Sequence, residues 1–207
     1  ELGGFVRWQE RQIRKLGVRV ELGVLADAAE IRRRAPDAVI VATGGRARHD
    51  DRSPAGAVGA DEALTAPWKI GTRVLVVGGD RLGLETGEFL ASRGRKVTII
   101  AGAHLGTDMG LTTRFHLLNH LRDLGAVIKR KAEVAGVVGT RVTLRTDGKE
   151  EVDEFDSIVL ATGYTADDSL AKELGGGALE VHVIGDAANV RDGLAAIADG
   201  AAIGLRI

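Results

Sequence analysis

The chain has 207 residues, enough for one large domain or two small ones with a sizeable buried core. Its 28 Lys and Arg against 29 Asp and Glu leave a net charge of -1, which gives no electrostatic reason to expect a nucleic acid or an anionic membrane as partner. There is no cysteine, which excludes disulfide scaffolds, Cys-ligated metals, iron–sulfur clusters and Cys nucleophiles from these residues. The longest apolar runs, such as Val74–Val77 and Val97–Ala101, fall far short of the ~18 residues a membrane span needs. The opening residues, with Glu1, Arg7 and Arg11, carry no apolar signal-peptide core, so a cytoplasmic location is expected. Glycine is the outlier: 29 residues are twice the usual share of ~7%. With 44% hydrophobic residues and 3% aromatic, the composition reads as α/β.

In chain order, Leu2, Phe5, Val6, Ile13 and Leu16 fall on one face of a helix, with Gly17 as its left-handed C-terminal cap. Val18–Leu22 alternates apolar and polar and predicts a half-buried strand. A short helix over Ala26–Arg33, ended by Pro36, leads to Ala38–Ala42, a predicted fully buried parallel strand stopped by Thr43-Gly44-Gly45. Residues 46–71 show no period and read as a linker. Val74–Val77 is then a buried strand, Gly78–Gly83 a glycine-rich turn, Leu84–Arg93 a helix capped by Gly94, and Val97–Ala101 the next strand: a βαβ unit of the usual ~30 residues. Thr113–Leu124 predicts an amphipathic helix capped by Gly125. The period then changes to two. Val134–Val138, the turn Gly139-Thr140, Val142–Arg145 and the turn Asp147-Gly148 predict an antiparallel meander. Ser157–Ala161 is a further buried strand, and Ala161-Thr162-Gly163 repeats the earlier Ala42-Thr43-Gly44. After a second linker reaching Gly177 come the strand Val181–Ile184, the turn Gly185-Asp186 and a small-residue helix from Gly193 to Gly204.

Two turns could carry a nucleotide. In the dinucleotide fingerprint the first glycine makes the tight turn, the second lets the pyrophosphate approach the backbone, and the third allows close helix–strand packing. Gly78 and Gly83 stand at the first and third positions, with Gly79 beside them, but the second position holds Asp80. A carboxylate ~4 Å from a pyrophosphate is opposed by about 4 kcal/mol at an effective dielectric near 20. A helix dipole returns at most ~2 kcal/mol. The acid expected about 20 residues on, to hold the adenosine ribose, is absent, since the strand ends Ile100-Ala101-Gly102. NAD(P) binding at this turn is therefore expected to be weak or lost while the fold persists. Gly185 and Asp186, after a buried strand and before a helix, suit either a ribose or polyol contact or a plain turn cap. His116 and His120 lie one helical turn apart with no third ligand near, so no metal site is expected. Trp8 lies off the apolar stripe of its helix, and no nucleophile–base pair stands out.

Taken together, strand-Ala-Thr-Gly, an inserted dinucleotide-type unit ending in a second Ala-Thr-Gly, and then Val183-Ile184-Gly185-Asp186 with a small-residue helix resemble the two-dinucleotide-domain flavoproteins of glutathione-reductase type. Within them the chain is similar to the C-terminal half of trimethylamine dehydrogenase, histamine dehydrogenase and 2,4-dienoyl-CoA reductase relatives. That closer likeness rests on Leu2-Gly3-Gly4-Phe5-Val6-Arg7-Trp8, Glu88-Phe89-Leu90-Ala91 and the stretch Val97–Leu105, and it spans nearly the whole chain. The resemblance implies an α/β fold of two Rossmann-like three-layer nucleotide-binding domains. The first is incomplete, formed by residues 1–50 and 176–207, and residues 65–164 form an inserted NAD(P)-type domain.

It further implies a flavin-dependent oxidoreductase whose FMN and iron–sulfur cluster sit on an N-terminal barrel, with FAD or ADP on the first domain. Thr43 and Gly44 would line the adenine-side crevice, Gly185 and Asp186 would face the ribityl, and Gly78, Gly79 and Gly83 would form the second nucleotide loop. No catalytic residue is expected in these 207 positions. In such proteins the first strand and its FAD loop precede the position of Glu1, so the chain is expected to be a truncated piece that is inactive alone. Its partners would be that barrel and an electron-transfer protein. Two other readings stay open: a vestigial ADP-holding module that docks an electron-transfer partner, and a complete region passing hydride from NAD(P)H to FAD.

Overall fold

A computed structural model of the chain describes residues 2–48, 53, 54, 56–177 and 179–207. Residues 49–52 and 55 of the expected first linker lie outside them. The elements are α1 (Leu2–Lys15), α2 (Ala28–Arg34), β1 (Ala38–Val41), β2 (Gly45–Ala47), β3 (Val58–Gly59), α3 (Ala60–Thr65), β4 (Arg73–Val77), α4 (Arg81–Ala91), β5 (Lys96–Ala101), α5 (Leu111–Asp123), β6 (Val127–Arg130), β7 (Ala132–Val138), β8 (Arg141–Thr146), β9 (Lys149–Glu154), β10 (Ser157–Leu160), β11 (Tyr164–Ala166), α6 (Ser169–Leu174), β12 (Glu180–Val183) and α7 (Gly193–Gly204). They divide into a small unit, Glu1–Ile40 with Ser169–His182, and a large one, Val41–Asp168 with Val183–Ile207.

The large unit is the three-layer arrangement expected from the sequence. Its central sheet is parallel, in the order β3-β10-β4-β5-β6. Alternation along the strands sends one set of side chains to each face. Val74, Val76, Val97, Ile99 and Val159 pack with Leu84, Leu90 and Leu121 of the helices, while Leu75, Ile100 and Ile158 pack with Val142, Leu144 and Phe155 beneath the meander β7-β8-β9. Most of these side chains are completely buried, each stabilising by about 1.5–3 kcal/mol relative to exposure. Two-sided burial is why the strands read as continuous apolar runs. The turn Asp147-Gly148, both residues at positive φ, closes β8 onto β9 as the Asp-Gly pair predicts. Gly94 and Gly125 each end a helix in the left-handed conformation: Arg95 N–H reaches Leu90 O, and Ala126 N–H reaches Leu121 O.

Several expectations change. The first linker holds β2, β3, α3 and a 3-10 turn at Pro67–Lys69, because Ala60, Ala63 and Ile70 bury against the sheet and tertiary packing supplies the order that local period lacks. β6 forms the sheet's edge, and β11 and α6 fall in the second linker. α4 begins at Arg81, one turn before the expected Leu84. Where the sequence groups residues 41–50 and 183–207 with the first domain, the contacts place Val41–Arg48 and Val183–Ile207 with the large unit. β2 is paired to β11, and the Gly185–Ala187 turn packs on α7.

In the small unit, α1 ends as expected in Gly17 at φ 71°, with Val18 N–H to Ile13 O. The predicted strand Val18–Leu22 does not form: the segment is non-strand, mostly exposed, and tethered through Glu21 to Arg34 at 2.7 Å. β1 is paired with β12 alone, and of its residues only Val41 is buried while Ile40 is 45% exposed. The expected fully buried strand is therefore half open, since a two-stranded sheet with one neighbour per strand offers little cover. None of the described side chains of α1 is buried either, and Trp8 stacks on Phe5 with ring centroids 6.2 Å apart.

Candidate functional site

In open parallel sheets ligands bind beyond the carboxyl ends of the strands, where the strand order reverses. In the large unit that place lies between β10 and β4, where the chain runs into Thr162-Gly163 and Gly78-Gly79. A cavity of about 310 Å³ opens there, with Val77, Ile100 and Leu160 as an apolar floor and Arg48, Thr162 and Glu133 among its polar lining.

The glycines of the turn that follows β4 lie close against other segments of the chain. Gly78, at φ 144°, would press a Cβ into the carbonyl of Ala161; Gly79 would press one into Ala101 and Leu105; Gly83 would press one into the carbonyl of Gly78. The approaches to Ala161, Ala101 and Gly78 are well under 3.0 Å, and that to Leu105 is 3.2 Å. Gly78 and Gly83 thus serve the tight turn and the close helix–strand packing of the fingerprint, and Gly79 lets Ala101 and Leu105 come close. Gly78 N–H donates to Ile100 O at 3.0 Å, and Gly79 O accepts Gly106 N–H at 2.7 Å. Asp80 stands at the N-cap of α4 with no capping hydrogen bond from its side chain. Arg81 N–H, the first helical donor, is taken by the Asp108 carboxylate at 3.0 and 3.1 Å. The Arg81 guanidinium meanwhile pairs with Glu85 at 2.9 Å. At the end of β5, where a ribose-binding acid would stand, Ala101 is buried, and Arg130 donates to the Ala103 carbonyl. The residues present do not fit a dinucleotide pyrophosphate.

Thr43 and Gly44 lie in a different place, the β2–β11 ladder, which joins the two Ala-Thr-Gly segments into a matched pair. Gly44 O accepts Asp167 N–H at 3.3 Å and Gly163 O accepts Arg48 N–H at 3.0 Å. The Thr43 hydroxyl donates to Asp167 O at 2.9 Å and the Thr162 hydroxyl to Arg48 O at 3.4 Å. Arg46 and Asp167 close the ladder with an ion pair at 2.6 Å. Tyr164 sits in the same ladder, its phenol pushed up by burial and then by the Asp61 carboxylate. Gly185 and Asp186 are engaged by the chain that follows them: Gly185 N–H donates to Asp199 of α7 at 3.1 Å, and Asp186 accepts Arg191 N–H at 3.0 Å. Asp192 caps α7 through Ala195 N–H at 2.8 Å. The structure thus brings Gly78, Gly79 and Gly83 together in one turn, and sets the turns of Thr43-Gly44 and Gly185-Asp186 side by side after β1 and β12, where Ile184 N–H donates to Val41 O at 3.0 Å. Asp108 is the residue sequence reasoning missed. It lies 27 positions from its partner in an aperiodic loop, where no local signal marks it.

Along the helices an open groove of about 850 Å³ runs between α3, α4 and α5. His120 stands 3.2 Å from Glu88 within it, and the buried Thr86 hydroxyl has no hydrogen-bond partner among the described residues. No group of three or more His, Cys, Asp or Glu side chains able to hold a metal occurs among the described residues, and no described helix is long and apolar enough to cross a membrane.

A parallel sheet with a glycine turn after its first βαβ strand and an antiparallel meander on its far face defines a pyridine-nucleotide oxidoreductase class of fold. Residues 7–189 match the family model described as pyridine nucleotide-disulphide oxidoreductase, and the chain belongs to that family of enzymes. The chain is 31% identical over 206 residues to an NADH oxidase of Thermoanaerobacter brockii, covering 95% of this chain and 32% of that protein. It is 27% identical over 197 residues to a cinnamate reductase of Clostridium sporogenes, covering 93% and 30%. Among solved structures, a 2-naphthoyl-CoA reductase in complex with 2-naphthoyl-CoA superposes with a TM-score of 0.90 at 30% identity, over 98% of this chain and 32% of that one. Histamine dehydrogenase from Rhizobium sp. 4-9 shares the fold, with a TM-score of 0.73 at 20% identity over 89% and 32%. The chain spans about a third of the length of these relatives.

Proposed function

We propose that the chain is the nucleotide-binding region of a longer flavin-dependent oxidoreductase of the trimethylamine dehydrogenase kind, whose amine or enoyl chemistry runs on a separate N-terminal barrel. The observation that carries this reading is the Gly78–Gly83 turn, which keeps the glycine contacts of a dinucleotide-type turn while the Asp108 carboxylate takes the first N–H of α4. Such a region scaffolds the larger enzyme, holds FAD or ADP on its first domain only when that domain is complete, and offers a face to an electron-transfer partner. It does not itself take hydride from NAD(P)H. A second reading, a working NAD(P)H-to-FAD reductase region, is favoured by the likeness to a protein called NADH oxidase and to two reductases along nearly the full chain.

Absorption spectroscopy of the purified 207-residue chain tests the proposal. A colourless protein that takes up neither FAD nor ADP stoichiometrically is expected. A yellow preparation with one flavin per chain would refute it. The coding sequence on either side is the complementary check: a barrel with clustered cysteines before Glu1 is expected.

A further inference from the structure

We infer that Asp108 is a built-in occupant of the anion position at the α4 N-terminus and excludes a nucleotide pyrophosphate from the Gly78–Gly83 turn. The inference rests on reading that turn as dinucleotide-type. The first N–H groups of a helix have no intrahelical acceptor and, with the helix dipole, make the usual phosphate seat. Here the seat is filled. Arg81 N–H donates to both Asp108 oxygens, at 3.0 and 3.1 Å.

Two contacts hold residues 102–110 over the turn, and a third shapes the segment itself. Gly106 N–H donates to Gly79 O at 2.7 Å, Met109 N–H donates to Gly106 O at 3.2 Å, and Leu105 faces the Cβ-less side of Gly79. Gly106 sits at φ 55° with Leu84, Met109 and Arg114 crowding the side a Cβ would take, so the return of this loop requires glycine. Two carboxylates, Asp80 and Asp108, then flank the first turn of α4, and the Arg81 guanidinium that could offset them is turned to Glu85. A pyrophosphate would have to displace Asp108 and sit beside Asp80. The loop closes the turn against dinucleotides without changing the fold beneath it.

Titration calorimetry on the full 207-residue chain with NADH and with NADPH tests this. The wild type is expected to bind neither more tightly than millimolar. Asp108→Ala should tighten both at least tenfold, Asp108→Asn by less, because the amide oxygen still accepts from Arg81 N–H. Asp80→Gly alone should do little while Asp108 stays in place, and the double variant should bind tightest. Micromolar binding by the wild type, or folded Asp108→Ala no tighter than wild type, would overturn the inference. Should the variants not fold, amide exchange at Arg81 in the wild type reads the same contact: protection is expected, and exchange at solvent rate would overturn it. Micromolar wild-type binding would leave the chain an oxidoreductase region, now a hydride-transferring one. Bound flavin would refute the proposed role without touching the Arg81 readout.

Discussion

Gly83 lies directly against the carbonyl of Gly78, so the first and third glycines of the turn touch backbone to backbone. This contact brings α4 down onto β4 and sets the depth at which Leu84 and Leu90 enter the core. Gly83→Ala should therefore destabilise the large unit by about 3 kcal/mol, at the upper end of ordinary overpacking costs, or prevent folding. Gly102→Ala, where a Cβ meets nothing within 4 Å, should stay within about 0.5 kcal/mol of wild type. Denaturant unfolding of the pair measures the difference; equal midpoints would refute the role given to Gly83.

At the other end of the sheet, one Asp156 oxygen accepts Thr72 N–H at 2.9 Å and Arg73 N–H at 2.8 Å, tying the start of β4 to the start of β10. Asp156→Ala strands two donors and should cost about 1–3 kcal/mol. Asp156→Asn, whose amide oxygen can still accept, should recover part of it. A loss identical in the two variants would mean the hydrogen bonds do not matter.

The left-handed caps make a further comparison. Gly94 lies at φ 79° with open space around it, so Gly94→Ala tests conformation without crowding. A loss of about 1 kcal/mol is expected from the left-handed backbone alone. Gly204, also in open space but with no positive φ, should tolerate alanine. Thermal denaturation distinguishes them, and a neutral Gly94→Ala would contradict the cap.

In the small unit, acid should release residues 19–21 from α2. Hydrogen bonding to Arg34 lowers the Glu21 carboxyl below its ordinary range, and bonding to Arg33 and Arg34 does the same for Glu30. A folded-state pKa below the unfolded one contributes stability that is present above the unfolded value, near 4.5, and is lost as pH falls through the lowered one. Both groups are solvent-facing, so the effect is local and is screened by salt. Protection of the amides across Arg19–Leu22, taken relative to intrinsic exchange at each pH, should fall as pH drops below about 4 and, at neutral pH, on raising salt to about 1 M. Exchange indifferent to both would show that the ion pairs do not hold the segment.

Much of the large unit was legible in the residues. Val74–Val77, Val97–Ala101 and Ser157–Ala161 are buried on both faces, so their hydrophobicity is continuous and local. Gly94, Gly125 and Asp147-Gly148 mark their turns because few other residues adopt those angles. What stayed hidden was whatever depends on a partner far along the chain. β6 joins the sheet as an edge with two residues exposed, β2 and β11 stabilise one another over more than 110 positions, and Val18–Leu22 alternates like a strand yet has no strand beside it. At the candidate site the sequence by itself determined the turn, through Gly78 and Gly83, and placed one carboxylate, Asp80, against a phosphate. Only the tertiary structure decided that the seat is filled. Asp108 reaches Arg81 N–H through a loop whose course is set by Gly106 and by packing on Gly79, and side-chain contacts across 27 residues leave no period or motif in the sequence to read.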